Sequence, residues 1–298
     1  MEFSLKKAKS ALINHTLSSI RKKIASKSVQ DAENRGESFG RLIFYLSKRR
    51  REIALSNLAL AFPELTPQER STLAKKNFEH FGRMLGDFFR SEHRTKEELD
   101  QSIKVFGLEH LESALSLDKG CLMITGHIGN WERSSAWLSS HGYPLSVVAQ
   151  ELNHPKLNEM ICRLREKNGT RVILRGNSIR PILEGLKNKE LIGLLPDQSS
   201  DEIFLPFFGK PCGSTLGPGV IASRTKAPVV PCWCIWKAPG QYHLIFEPAL
   251  EPVAHEKIKG EGITRSIQAT LEQKIREYPD QWLWFHDRWK SARRRGLI

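Results

Sequence analysis

Short apolar runs alternate with amphipathic helical stretches from residue 103 onwards, and this alternation restricts the possible folds more than any other feature of the chain. The apolar runs cover residues 103–106, 121–125, 145–149, 171–174, 191–195, 229–236 and 242–246. Helical patterns lie between several of them, at 131–140, 154–167 and 179–187. Strands that alternate with helices form a mainly parallel sheet whose crossover helices cover both faces. We therefore predict an α/β fold with a mixed, largely parallel sheet.

Helical patterns also fill the first hundred residues, so an N-terminal helical region is expected to precede the sheet. One pattern runs from Lys48 to Phe62 and stops before Pro63, and Pro67 opens another whose apolar side chains share one face. Residues 1–30 show apolar positions three and four apart, with lysines and arginines on the other sides. Such a helix can lie in an anionic headgroup layer or pack on its own domain, and the sequence leaves both interpretations open.

The net charge of +13 is concentrated at the two ends of the chain. Residues 1–51 hold 13 Lys and Arg against 4 Asp and Glu, and residues 288–298 hold 5 basic residues and no acid. Subtracting these from 46 basic and 33 acidic residues leaves 28 and 29, a net charge of −1 over the remaining 236 residues. A neutral body with basic ends does not fit a nucleic-acid coat, so we expect two terminal contact segments and no nucleic-acid partner.

These patterns divide the chain into a basic amphipathic helix at 1–30 that is a candidate membrane-surface helix, a helical region at 31–102, and an α/β core with a C-terminal helix and an aromatic, basic tail at 103–298. Residues 1–10 are too polar for a signal peptide, and the five cysteines are dispersed without a zinc-binding spacing. We therefore expect reduced thiols in the cytosol and no metal. The aromatic tail fits either a membrane interface or a cap on the sheet.

The strongest candidate site follows the apolar run at 121–125. His127, Gly129, Asn130 and Glu132 come within six positions at a predicted turn from strand to helix. Open α/β sheets bind ligands at the carboxyl ends of their strands, so these side chains should face a crevice. A turn can bring the Glu132 carboxylate to one imidazole nitrogen and leave the other to abstract a proton. Gly129 would let a substrate approach the backbone closely.

Three other interpretations compete with a catalytic one. His127 can be a strand-end histidine bonded to the backbone, Glu132 can simply occupy the first turn of a helix, or the two can be metal ligands. Metal binding is the weakest of these, because no third nitrogen or sulfur ligand lies nearby in the sequence.

The segment resembles the H-x4-D/E motif of the lysophospholipid acyltransferase superfamily, and the chain resembles its bacterial branch that acylates lipid A precursors. Further blocks of that branch follow in the same order: NLALAFPE at 57–64, LPDQ at 195–198, PFFG at 206–209, TLG at 215–217, APVVP at 227–231 and QWLWFHDRWK at 281–290. The resemblance extends from near Lys48 to Lys290. Members commonly begin with a spanning or near-spanning apolar helix, and this chain differs in offering the basic amphipathic segment.

The resemblance implies an O-acyltransferase in which His127 is the general base on an acceptor hydroxyl. Glu132 would orient the imidazole and stabilise its charge, and the hydroxyl oxygen would attack an acyl thioester without an acyl-enzyme. Backbone amides around Gly129 and the Asn130 side chain are the candidate oxyanion donors, although Asn130 can equally be a helix cap.

The resemblance also assigns residues to the acceptor. Arg175 and Arg180 fall in the block that contacts phosphate, with ordinary surface arginines as the alternative, and Arg224 is a further candidate. Asp197 and Gln198 fall in the block where an acidic residue contacts the acceptor or supports the histidine. A turn aspartate after Pro196 is the alternative for Asp197.

The expected reaction moves a fatty acyl group from acyl carrier protein, or less favourably coenzyme A, to a hydroxyl of a lipid A precursor or related glycolipid. The expected partners are acyl carrier protein, anionic membrane lipids and the glycolipid or phospholipid acceptor, with no cofactor besides the thioester co-substrate. The expected location is the cytoplasmic face of the bacterial inner membrane, bound peripherally. The alternatives are acylation of another lysophospholipid or a phosphoinositide mannoside, or a catalytically silent peripheral membrane-binding protein.

Overall fold

The computed structural model describes Ile24 and residues 26–151, 154–177, 179–253 and 257–298. The predicted amphipathic helix at 1–30 therefore lies largely outside the described residues. None of the helices in these ranges is long and apolar enough to cross a membrane.

Three long helices open the described chain and confirm the predicted N-terminal helical region. They are α1 (Val29–Leu46), α2 (Lys48–Ala61) and α3 (Pro67–Phe89), followed by the short α4 (Lys96–Ser102). A capping box of Thr66 and Glu69, with proline at the first helical position, fixes the start of α3. Helices α1 and α3 pack closely through glycines, since a Cβ atom on Gly36 would lie 2.1 Å from the carbonyl oxygen of Gly82.

Seven strands form the main sheet, and two more form a separate hairpin. In chain order they are β1 (Ile103–Phe106), β2 (Cys121–Ile124), β3 (Leu145–Ala149), β4 (Arg171–Leu174), β5 (Leu191–Leu194), β6 (Ile203–Phe207), β7 (Lys210–Ser214), β8 (Val229–Ala238) and β9 (Gln241–Phe246). The sheet order is β1-β9-β8-β2-β5-β3-β4, with every neighbouring pair parallel except β8 and β9. Strands β6 and β7 pair antiparallel outside it. The predicted fold class is confirmed.

Helices cover both faces of this sheet. They are α5 (Leu108–Leu115), α6 (Trp131–Ser140), α7 (Pro155–Lys167), α8 (Ile179–Lys187), α9 (Gly217–Thr225), α10 (Glu261–Glu277) and α11 (Lys290–Arg294). Leu111 of α5 and Trp137 of α6 belong to the apolar cluster on one face. Ile182 of α8, Ile221 of α9 and Ile263 of α10 belong to the cluster on the other. Strands buried on both sides are apolar throughout, which explains the continuous runs in the sequence.

The aromatic tail at 281–290 is packed inside the protein, with its tryptophans buried. Trp282, Trp284 and Trp289 are buried in a third cluster with the N-terminal helices and the β6–β7 hairpin. Two buried asparagines hold the tail's backbone: the Asn57 side-chain amide donates to the carbonyl of Trp284, and that of Asn77 to the carbonyl of Trp282. These tryptophans therefore pack against protein, and a membrane-interface role for them is wrong.

Candidate active site

The site lies where β2 and β5 end, side by side in the sheet. His127 follows the last residue of β2 by three positions, and Asp197 follows the last residue of β5 by three. Because the two strands are parallel neighbours, the two turns meet at one edge. The Nδ1 atom of His127 lies 2.7 Å from Oδ1 of Asp197, and the His127 backbone N–H donates to Oδ2 over the same distance.

Asp197 is built to remain an anion. Its side chain is buried, and the indole N–H of Trp282 donates to Oδ2 over 2.9 Å. Burial by itself would raise the pKa of Asp197, but the charge of His127 and the hydrogen bonds from His127 and Trp282 lower it well below its ordinary value. A carboxylate on Nδ1 fixes the tautomer of a neutral imidazole that carries its proton there. The Nε2 atom is then the nitrogen that can accept a proton from a molecule in the cavity.

The prediction that Glu132 orients the imidazole is wrong. Oε2 of Glu132 accepts a hydrogen bond of 3.0 Å from Nε of Arg165, Oε1 accepts one from Nη2 of Arg165, and the Trp131 indole N–H donates to Oε1 over 3.0 Å. Glu132 stands in the first turn of α6, beside α7, and α7 carries Arg165. The partner of His127 therefore comes from the loop after the neighbouring strand β5, and not from helix α6, which follows His127 in the chain. Asp197 was predicted to contact the acceptor, to support the histidine or to be a turn residue. Its hydrogen bonds to His127 are those of a residue that supports the histidine.

The predicted oxyanion donors are also wrong. The backbone N–H of Gly129 donates to the carbonyl of Gln281 over 3.0 Å, and that of Asn130 donates to the carbonyl of Cys234 over 2.7 Å. The Asn130 side chain caps α6 by accepting from the Arg133 N–H, so the helix-cap interpretation is the one that holds. Gly129 has φ of +63°, and a Cβ atom there would lie 2.1 Å from the Cys234 carbonyl. The missing side chain of Gly129 therefore allows the backbone of β8, and not a substrate, to approach closely.

A cavity of about 530 Å³ opens at these strand ends. His127, Glu132 and Arg165 line it together with residues from both faces of the sheet. Apolar side chains form much of its wall, among them Met123, Val147, Ile161, Ile179, Ile182, Leu194, Pro218 and Ile221. A mostly apolar cavity with a few convergent polar groups is typical of a site for a largely apolar ligand.

Of the five predicted acceptor contacts, two line this cavity; Asp197, Arg180 and Arg224 do not. Arg175 and Gln198 line it. Arg180 is 90% exposed and pairs with Glu184 of the same helix, because α8 turns its buried side to the sheet and leaves Arg180 in solvent. Arg224 is exposed near the end of α9 and does not line the cavity. The structure therefore does not bring Arg180 and Arg224 to the cavity, and their contact with the acceptor stays a prediction.

Sequence reasoning missed two residues of the site. Arg165 sits in an amphipathic helix with other charged residues, so no spacing distinguished it from a solvated arginine. Burial would lower the pKa of Arg165, but the Glu132 charge raises it, so the guanidinium stays a fixed cation beside the cavity. Trp282 belonged to a block that the family resemblance had marked, yet nothing in that block showed that its indole reaches Asp197.

A buried ionic cluster fixes the start of α6. Asp87 of α3 accepts hydrogen bonds of 2.8 Å from Arg133, from Arg94 and from the side-chain amide of Asn130. Arg133, Arg94 and Asp87 are almost completely buried. The N-terminal helical region is thereby joined directly to the turn that carries His127.

The fold and the site define an α/β enzyme with a histidine–carboxylate pair beside an apolar cavity. Residues 22–291 match the model of the bacterial lipid A biosynthesis acyltransferases, so the chain belongs to that family and is an acyltransferase. The resemblance seen in the sequence is confirmed.

Relatives of known name agree with this assignment. A lipid A biosynthesis acyltransferase of Haemophilus influenzae is 25% identical over 246 residues, covering 81% of this chain and 76% of that protein. A lipid A biosynthesis palmitoleoyltransferase of Escherichia coli is 26% identical over 265 residues, covering 86% and 84%. A phosphatidylinositol mannoside acyltransferase of Mycobacterium tuberculosis is 26% identical over 223 residues, covering 72% and 69%.

Proposed function

We propose that this acyltransferase moves a fatty acyl group from an acyl thioester to a hydroxyl of a lipid A precursor or a related glycolipid. The observation that carries the proposal is the His127–Asp197 pair at an apolar cavity. The cavity suits a fatty acyl chain, and the pair suits a hydroxyl that must lose its proton. The relatives named for lipid A biosynthesis support the acceptor class.

In the proposed reaction, Nε2 of His127 takes the proton of the acceptor hydroxyl as its oxygen attacks the thioester carbonyl. The new C–O bond forms, the C–S bond breaks, and the leaving thiolate takes the proton back from the imidazolium. Asp197 stabilises the imidazolium while it exists, because its buried negative charge lies 2.7 Å from Nδ1. The acyl group passes directly between the two substrates, without an acyl-enzyme.

Arg165 supplies the positive charge in this proposal. Glu132 holds its guanidinium at the cavity wall, and Arg175 lies at the same cavity. A guanidinium fixed in this way suits the phosphate of an anionic lipid or the oxygen that becomes negative in the transition state. Glu132 thus acts on the reaction through Arg165 rather than through His127.

We place the enzyme peripherally on the cytoplasmic face of the bacterial inner membrane, with acyl carrier protein as the favoured donor. The support is electrostatic: residues 1–51 carry 13 basic and 4 acidic residues, which favours contact with anionic lipids and with an acidic carrier protein. A phosphoinositide mannoside is the second candidate acceptor, favoured by the Mycobacterium tuberculosis relative.

Replacement of His127 by Ala tests the function. Transfer from acyl carrier protein to a lipid A precursor should fall by about 100-fold or more, since a positioned general base contributes roughly 10²–10⁴-fold. His93→Ala is the matched control, because His93 is exposed and does not line the cavity. Full activity of the His127 variant would overturn the mechanism. Transfer to a phosphoinositide mannoside, with none to the lipid A precursor, would establish the second acceptor instead.

A further inference from the structure

One row of residues in the sheet forms the deepest part of the cavity on the side of α6. Met123 of β2 and Val147 of β3 are both in register with Gly193 of β5, which lies between them. Residues in register on neighbouring strands project from the same face of a sheet. All three line the cavity, and the middle strand contributes no side chain between the two that flank it.

The neighbouring rows show that the cavity ends here. Thr125 and Ala149, two residues nearer to the strand ends, also line the cavity. Cys121, Leu191 and Leu145, two residues further from the strand ends, are buried in the apolar core and do not line it. The cavity thus runs down the sheet from the level of His127 and stops at the row that contains Gly193.

Backbone geometry does not require a glycine at this position. Gly193 has no left-handed φ, unlike Gly129 in the catalytic turn. A Cβ atom on Gly193 would lie 3.1 Å from Cγ1 of Val147 and 3.6 Å from Cε of Met123, and no backbone atom is among its nearest neighbours. A glycine inside a strand that is not needed for a turn often marks close approach by a ligand. Because Gly193 has no side chain, those of Val147, Met123 and Leu145 meet over the middle strand, and the first two form the end of the cavity.

We propose that Gly193 determines the length of the acyl chain that the enzyme accepts. The methyl end of the chain lies against the Met123 and Val147 side chains that meet over Gly193, while the thioester lies at His127. This inference rests on the proposed function, because it names the part of the same cavity that holds the acyl group. A side chain at 193 would push those of Val147 and Met123 towards the strand ends, which would shorten the slot and leave the His127–Asp197 pair untouched.

The test compares Gly193→Ala and Gly193→Val with the wild-type enzyme on acyl thioesters that differ by two carbons. Alanine at 193 requires a shift of a few tenths of an ångström in the Val147 side chain, and valine requires a larger one, so the folding of both variants is measured first. Each variant should prefer shorter chains, the valine variant more strongly. The rate for the best wild-type chain, relative to one two carbons shorter, should fall by about ten-fold or more, since one methylene in an apolar pocket changes discrimination roughly 10–200-fold.

Two further variants make the result decisive. Ile192→Val changes a buried residue next in sequence that faces the other side of the sheet, so it should leave chain preference unchanged. Met123→Ala enlarges the same row and should shift preference to longer chains, which tests the slot even if a larger residue at 193 prevents folding. Active Gly193 and Met123 variants with unaltered preference would refute the role of Gly193 and leave the proposed function standing. No transfer by the wild-type enzyme, with any chain length, would refute the proposed function and this inference with it.

Discussion

At the scale of single residues, the proposed role of His127 depends on hydrogen bonds that converge on one carboxylate. Asp197 receives the backbone N–H and Nδ1 of His127 and the indole N–H of Trp282. Each donor favours the ionised carboxylate, and together they hold it in one orientation. In the proposed mechanism, Trp282 therefore acts through Asp197, as a positioning residue.

Trp282→Phe should separate this role from packing. An aromatic ring is kept, but the pyrrole ring is lost together with its N–H. The lost donor to a charged group is worth about 1.5–3 kcal/mol, so kcat should fall by roughly ten-fold or more with little change in KM. Without that donor, the pKa of Asp197 rises. A depressed carboxyl pKa stabilises the fold above the unfolded-state value, and this stability is lost as pH falls through the folded-state value, so the variant should unfold at a higher pH during acidification.

Trp284→Phe is the matched control for that measurement. Trp284 is equally buried in the same cluster and donates its indole N–H to the carbonyl of Pro279, away from Asp197. It should lose stability with little effect on kcat. Equal losses of kcat in the two variants would contradict a positioning role for Trp282.

At the scale of elements, the N-terminal helices and α6 are joined through buried charge. Asp87→Asn keeps the shape of the side chain but removes the carboxylate paired with Arg94, and it leaves buried Arg133 with only the longer ion-pair contact of 3.3 Å to Glu98. Removal of one partner from a buried pair costs about 3–5 kcal/mol, which urea unfolding would show as a lower free energy of unfolding. Asp100→Asn, in an exposed pair with Lys96, should cost less than about 1 kcal/mol. A similar small loss for Asp87→Asn would show that the cluster contributes little to stability.

Local patterns in the sequence predicted the main sheet well, since each of the seven apolar runs corresponds to one of its strands. The bounds differ by two residues at most, as for the run at 229–236, which continues to Ala238. The β6–β7 hairpin was missed, because Pro206 and Pro211 interrupt the pattern that marks a strand.

At the scale of the whole molecule, strand order explains why the histidine and the cavity were found while the partner of the histidine was not. Proximity in sequence favoured Glu132, whereas Asp197 follows His127 by 70 residues. Strand β5 inserts between β2 and β3 although it comes after β3 and β4 in the chain. This insertion depends on the packing of several helices together, so no local pattern in the sequence reveals it.

The basic N-terminal segment gives a prediction for the molecule as a whole. Residues 1–23 contain six Lys and Arg and one acid, and their deletion keeps the Ser28 side-chain cap of α1. Near an anionic surface each basic residue is worth about 1 kcal/mol, so the truncated protein should bind anionic vesicles at least ten-fold more weakly, with a smaller dependence on salt. Transfer to detergent-dispersed acceptor should continue, because the His127–Asp197 pair is untouched.

A full-length variant with those six basic residues changed to Gln shows whether the lost charge or the shorter chain weakens vesicle binding. If both proteins sediment with anionic vesicles as the wild type does, membrane contact depends on another surface.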